Sequence, residues 1–63
     1  MESKYKIGDV VKVKRVYHNG YHYNKIGIII GDDHGFIAAY DIIIAGIEGK
    51  TFYVYDYNIE GKL

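Results

Sequence analysis

The sequence predicts one all-β domain spanning residues 1–63, and three observations carry that expectation. No stretch repeats its apolar residues at a helical period, while β-branched and aromatic residues dominate between glycine-bearing turns. Asn19-Gly20, flanked by strand-forming residues, is the strongest short hairpin signal in the chain, because a type I′ turn needs positive φ at both central positions. Proline, linkers, low-complexity tracts and repeats are absent, so nothing divides the chain.

A two-residue turn at Asn19-Gly20 predicts one long hairpin, residues 10–18 and 21–30. It sets His18 opposite Tyr21, Tyr17 opposite His22, Val13 opposite Ile26 and Val11 opposite Ile28. Alternation then puts Val11, Val13, Ile26, Ile28 and Ile30 on one face and Lys12, Lys14 and Lys25 on the other. GDDHG at 31–35 reads as a turn, rich in residues that tolerate tight backbone geometry. A strand is expected over 36–45, bent at Ala38-Ala39. In the next connection, a two-residue loop at Glu48-Gly49 would oppose Asp41 to Asp56, a like-charge pair. A three-residue loop with Gly49 left-handed instead sets Ile44 against Phe52 and Ile42 against Val54, with Asp41, Ile43, Tyr53 and Tyr55 outside. DYNIE at 56–60 reads as a short turn that returns Ile59 to the core.

KIGDVVKVK (6–14), the tyrosine-rich hairpin, GIIIG (27–31), YDIIIAG (40–46) and TFYVYDYNIE (51–60) together resemble the small SH3-like barrels of phage and bacterial proteins. The resemblance covers nearly the whole chain. It implies a barrel of about five strands with a long first hairpin and a short helical turn near the C-terminus, here leading into Ile59-Glu60. It also implies a module that binds proteins or nucleic acid, or a virion or host-modulating component of a phage. The tryptophan and proline of the polyproline-binding groove are missing, as are strongly basic loops.

Bulk properties narrow the function. Sixty-three residues without cysteine lie near the size at which one core barely offsets chain entropy, and neither disulfides nor a cysteine-based zinc site can staple them. Eleven isoleucines must supply the stability. No run is long enough to span a membrane and the N-terminus lacks a signal-peptide core, so a soluble cytoplasmic protein is expected, in the host cytoplasm or the virion if phage-encoded. Ile, Lys, Asn and Tyr, with AT-rich codons, supply 29 residues against 12 for Gly, Ala, Arg and Pro, which points to an AT-rich bacterial or phage genome. Zero formal charge argues against binding by phosphate neutralisation alone. The charge is uneven, with six Lys/Arg and two acids in residues 1–25, and two lysines and six acids in 26–63.

Catalysis is not expected. Ser3 sits at the N-terminus, Thr51 starts a strand, and turn chemistry accounts for Asp32 and Asp33. No metal or other cofactor is expected either. In the two-residue register His18 and His22 point to opposite faces, and His34 beside Asp32 and Asp33 offers too few directed ligands.

Two surfaces remain. At the hairpin tip, Tyr17, His18, Tyr21, His22 and Tyr23 form a candidate contact, with Val16, His18, Tyr21 and Tyr23 sharing one face and Arg15, Tyr17, His22 and Asn24 the other. Tyrosine suits interfaces because it supplies large area at low rotamer cost, although cross-strand pairing alone would also use these rings. The second surface groups Val10, Ile29, Ile43, Tyr53 and Tyr55 by outward parity, and grouped external apolar residues favour a partner or another copy of the chain. The leading expectation is therefore a non-enzymatic protein-binding or self-assembling module. The second is a nucleic-acid or nucleotide binder using Lys12, Lys14, Arg15 and Lys25 beside the tip tyrosines.

Overall fold

Five antiparallel strands make one sheet in the computed structural model, which describes residues 4–32 and 34–63. They are β1 (Val10–Tyr17), β2 (Tyr21–Gly31), β3 (Ala39–Ile44), β4 (Ile47–Tyr55) and β5 (Ile59–Lys62), with a 3₁₀ turn, Asp56–Asn58, before β5. The spatial order is β4-β3-β2-β1-β5, and among the described residues β4 and β5 do not pair, so the sheet is open. No helix among the described residues is long and apolar enough to cross a membrane. Ser3 and Asp33 lie outside the described residues.

The first hairpin corrects the expected register by one residue. Tyr17 pairs with Tyr21, Val13 with Lys25, Val11 with Gly27 and Val10 with Ile28, so the loop is His18-Asn19-Gly20. Asn19 and Gly20 do take positive φ, at 52° and 117°, but His18 joins them by donating its N–H to the Gly20 carbonyl at 2.8 Å. A one-residue slip exchanges the faces of β2. Ile29 and Gly27 are buried, whereas Ile26, Ile28 and Ile30, expected inside, are outside. Packing across the sheet explains the choice. A Cβ at Gly27 would lie 3.2 Å from Ile44 Cδ1 and 3.3 Å from Ile42 Cδ1, so these two core side chains occupy the space that glycine leaves.

The hairpin also changes face along its length. Val11 and Val13 are buried, then Lys14 and Arg15 are both exposed, and Val16 is buried again. The register skips Lys14 and Asn24 at this point, and Asn24 is left-handed with φ 55°. Left-handed backbone is uncommon outside glycine and best tolerated by Asn or Asp. The kink turns the tip over, so that His22 pairs with Val16 and the His18 ring meets the Phe52 ring edge-on at 5.7 Å.

The second hairpin differs from expectation by two residues. Ile42 pairs with Phe52 and Tyr40 with Val54, and the turn is Ala45-Gly46, not the expected three-residue loop ending at Gly49. The extra residues sit inside β4, where Ile43 faces Thr51 while the adjacent Ile44 faces Ile47. Gly49 is left-handed as expected, at φ 71°, but within this bulge. A slip of two preserves side-chain parity, so Ile42, Ile44, Phe52 and Val54 remain inside and Asp41, Ile43, Tyr53 and Tyr55 outside. Strand β3 begins at Ala39, and Phe36 lies exposed in the preceding turn.

The core joins Val11, Val13, Val16, Ile29, Tyr40, Ile42, Ile44, Phe52, Val54 and Ile59, with Tyr5 folded onto it from the N-terminal side. Ile59 does return to the core. Tyr40 is fully buried, and its hydroxyl oxygen accepts the Lys4 N–H at 3.0 Å and the Tyr5 N–H at 3.2 Å. This polar atom is thereby satisfied inside an otherwise apolar interior. The open end of β1 is tied by Asp9, whose carboxylate accepts the Lys6 N–H at 3.0 Å and lies 3.5 Å from the Lys62 ammonium. The backbone hydrogen bond, then Lys62 and Lys6, hold the Asp9 carboxyl below its ordinary value of 3.8 against the opposing effect of desolvation.

Candidate functional site

The outer face of the sheet carries an apolar stripe that crosses three strands. Val10 pairs with Ile28, and Ile28 with Ile43, which places the three side by side. With Ile26 they are between 37 % and 43 % exposed, and together with Ala45 they line a shallow apolar depression. Three of the expected surface residues, Val10, Ile43 and Tyr53, are outside, as is Tyr55. Ile29 is not. It is 1 % exposed, a correction that follows from the one-residue slip, and Ile28 takes its place on the outer face. Ile26 and Ile28 were missed because the two-residue turn assigned them to the core. The glycine between them was the available signal, since a residue lacking a side chain at an inward position marks close packing there.

Beside the stripe runs an aromatic row. Strand alternation puts Tyr53 and Tyr55 on one face of β4, with ring centroids 5.3 Å apart, and the Tyr57 ring stacks on Tyr55 at 5.2 Å with 4° between planes. His34 completes the row, edge-on to Tyr53 at 4.7 Å, and its Nε2–H donates to Asp41 Oδ2 at 3.2 Å. From the loop after β2, His34 thus faces a carboxylate on β3. Surrounding side chains desolvate the Tyr53 phenol and push it above its ordinary value, with Tyr55 and Asp41 adding to the effect.

At the hairpin tip the observed faces differ from those expected. Tyr17 and Tyr21 meet edge-on at 5.2 Å, Tyr23 lies 6.4 Å from Tyr21, and the Arg15 guanidinium sits 4.9 Å from the Tyr21 ring centre. Tyr17, Tyr21, Tyr23 and Arg15 therefore share one side, and His18, His22 and Val16 share the other, where the His18 ring meets Phe52. His18 and His22 are on the same side, with ring centroids 6.4 Å apart, where opposite faces were expected. The His22 Nε2–H donates to the His18 carbonyl at 2.8 Å, which fixes the proton on that nitrogen. Among the described residues no group of three or more metal-ligating side chains forms.

The four cationic residues Lys12, Lys14, Arg15 and Lys25 do not make one strip. Lys12 lies 3.5 Å from Glu60, Arg15 covers Tyr21, and Lys25 pairs with Val13 on the far side of the kink. Between the tip and β4 lies a groove of about 430 Å³, lined on one side by Arg15, Val16, Tyr17 and Tyr21 and on the other by residues 50–54, with Asn58 at one end. No family model, curated protein or solved structure matches the chain.

Proposed function

We propose that this chain is a non-enzymatic, self-associating protein-binding module built on a small SH3-like barrel. The strand order β4-β3-β2-β1-β5 and the 3₁₀ turn leading into the last strand support the barrel reading. The AT-rich residue usage favours a phage or bacterial setting, as a virion component or a modulator of a host protein.

The observation that carries the functional reading is the stripe of Val10, Ile26, Ile28 and Ile43. Grouped apolar side chains on adjacent strands are what a partner surface requires, whereas singly scattered ones are ordinary. The occupant we assign is a second copy of the chain. Among the described residues no charged side chain lines the depression, so two copies meet there without burying an unpaired charge, and one self-complementary patch suffices for a two-fold dimer. Sedimentation velocity tests this: the unmodified protein sediments as a dimer, and Ile28→Ser with Ile43→Ser sediments as a monomer with unchanged circular dichroism. A monomeric unmodified protein at high micromolar concentration overturns self-association. Tyr53→Ser with Tyr55→Ser asks whether the aromatic row extends the same contact.

Nucleic-acid binding is the second reading, favoured by Arg15 beside the three tip tyrosines. It ranks lower because Lys12 is paired with Glu60 and Lys25 lies beyond the kink. A salt-dependent shift with single-stranded RNA or DNA that Lys14→Glu removes would raise it; no binding at low salt ends it.

A further inference from the structure

We infer that the groove between the hairpin tip and the edge of β4 accepts an extended acidic segment of a partner protein as an added strand. The backbone supplies the first argument. The Asp56 N–H donates to the Ala38 carbonyl at 2.9 Å, and the neighbouring pairs are Ala39 with Tyr55 and Tyr40 with Val54. Bonded and non-bonded pairs alternate along an antiparallel ladder, so residues 52 and 54 bond to β3 while Thr51 and Tyr53 turn their N–H and C=O groups the other way. The Tyr55 N–H, of the same parity, is already taken by Asn58 Oδ1 at 3.3 Å. The free edge is therefore closed at the Asn58 end and, among the described residues, open at Thr51 and Tyr53, both of which line the groove. An extended peptide satisfies such groups in the way strand addition does elsewhere.

Charge and shape select the peptide. Arg15 and Lys50 stand on the two sides of the groove, and no carboxylate lines it among the described residues. Val16 and Phe52, both buried core residues, border it. A strand carrying both acidic and apolar side chains presents carboxylates to the two cations, Lys50 lying 5.9 Å from the Phe52 ring on the same face of β4, and apolar side chains to Val16 and Phe52. A nucleic-acid strand would also meet the cations, but lacks the alternating amide and carbonyl spacing that the β4 edge offers. This site is separate from the outer stripe and does not depend on the dimer.

The test titrates acetyl-Glu-Val-Glu-Val-Glu-amide into the full chain, followed by amide NMR and hydrogen exchange. Binding is expected, with the Thr51 and Tyr53 amides gaining protection. N-methylation of one alternate set of peptide residues abolishes binding, while the other set leaves it within a few-fold. The Lys-Val-Lys-Val-Lys counterpart binds at least tenfold more weakly, and so does the acidic peptide to Arg15→Glu with Lys50→Glu. Both substituted side chains are on the surface, and circular dichroism checks that the variant folds. Ile28→Ser with Ile43→Ser retains the peptide. The proposal falls if the acidic peptide fails to bind at millimolar concentration, or if both methylated sets bind equally. It falls equally if an oligo(dT) strand competes more strongly than the peptide, if the outer-stripe variant loses the peptide, or if β4 edges of two copies pair in the free protein.

Discussion

The two hairpins accommodate their irregularities in different places. In β1–β2 the extra residue is in the loop, His18-Asn19-Gly20, and the strands then change face together at Lys14 and Asn24. In β3–β4 the turn is short and the additional residues bulge within β4, between Ile47 and Thr51. The consequence for side chains is opposite. The bulge of β4 leaves one continuous inner row, Phe52 and Val54 against Ile42 and Tyr40, and one continuous outer row, Tyr53 and Tyr55. The kinked hairpin contributes to the core from both sides of its kink, through Val11 and Val13 and then through Val16, while its tip reaches over Phe52. A bulge in one strand tunes the edge of a sheet; a kink shared by both strands redirects a whole arm.

That contrast is easiest to break at neighbouring isoleucines. Ile29→Ala should cost about 2–5 kcal/mol by leaving a cavity, whereas Ile28→Ala, on the outer face, should cost less than about 1 kcal/mol. Urea melts of the two variants measure this directly, and a larger loss for Ile28→Ala would restore the two-residue turn. Ile42→Ala and Ile43→Ala in β3 should reproduce the pattern. Next in size is Gly27→Ala, whose Cβ would sit 3.1 Å from the Ile43 carbonyl oxygen, between the two hairpins. Overpacking there should cost about 1–3 kcal/mol in thermal or denaturant unfolding.

The kink itself is tested at Asn24. A β-branched residue is poorly tolerated at φ 55°, so Asn24→Val should cost about 1–3 kcal/mol, while Asn24→Gly should be close to neutral. Equal stability of the two variants would mean that the hairpin is not kinked. The smallest effect belongs to Asp9, at the open end of the same hairpin. Its folded pKa lies below the ordinary 3.8, so its contribution is fully present above that value and is lost as pH falls through the depressed folded value. The unmodified protein should therefore exceed Asp9→Asn in melting temperature at neutral pH, with the gap closing only in acid. A gap that is constant with pH would exclude the carboxylate as its source.

The all-β class, the presence of a turn at Asn19-Gly20 and the inner row of the second hairpin were legible in the sequence, the last because period-two alternation in YDIII and TFYVY survives an error of two residues. The faces of β2 were not. GIIIG holds consecutive isoleucines, so either parity gives an apolar inner row, and the loop length became the sole arbiter. Asn19-Gly20 fits a two-residue turn and, with His18 added, a three-residue one. The deciding term is non-local: Ile42 and Ile44 from β3 need the space above Gly27. The same slip explains the candidate surfaces. Tyr53, Tyr55 and Ile43 were found where parity was secure, Ile29 was misplaced where it was not, and the grouping of His18 with His22 required a kink that no local pattern announces.

Because the chain contains no tryptophan, its near-ultraviolet absorption is that of tyrosine with a small share from phenylalanine. Those chromophores are not spread evenly. Tyr55 and Tyr57 lie face to face at 5.2 Å and nearly parallel, with Tyr53 edge-on at the next position, close enough for their electronic transitions to mix. The circular dichroism of this protein in that region thus draws on the seam where β4 passes into the 3₁₀ turn together with the Tyr17–Tyr21 pair at 5.2 Å and the Tyr5–Tyr40 pair at 5.7 Å. Spectral loss on heating or titration therefore reports on that seam and, through Tyr5, Tyr40 and Phe52, on the core beneath it.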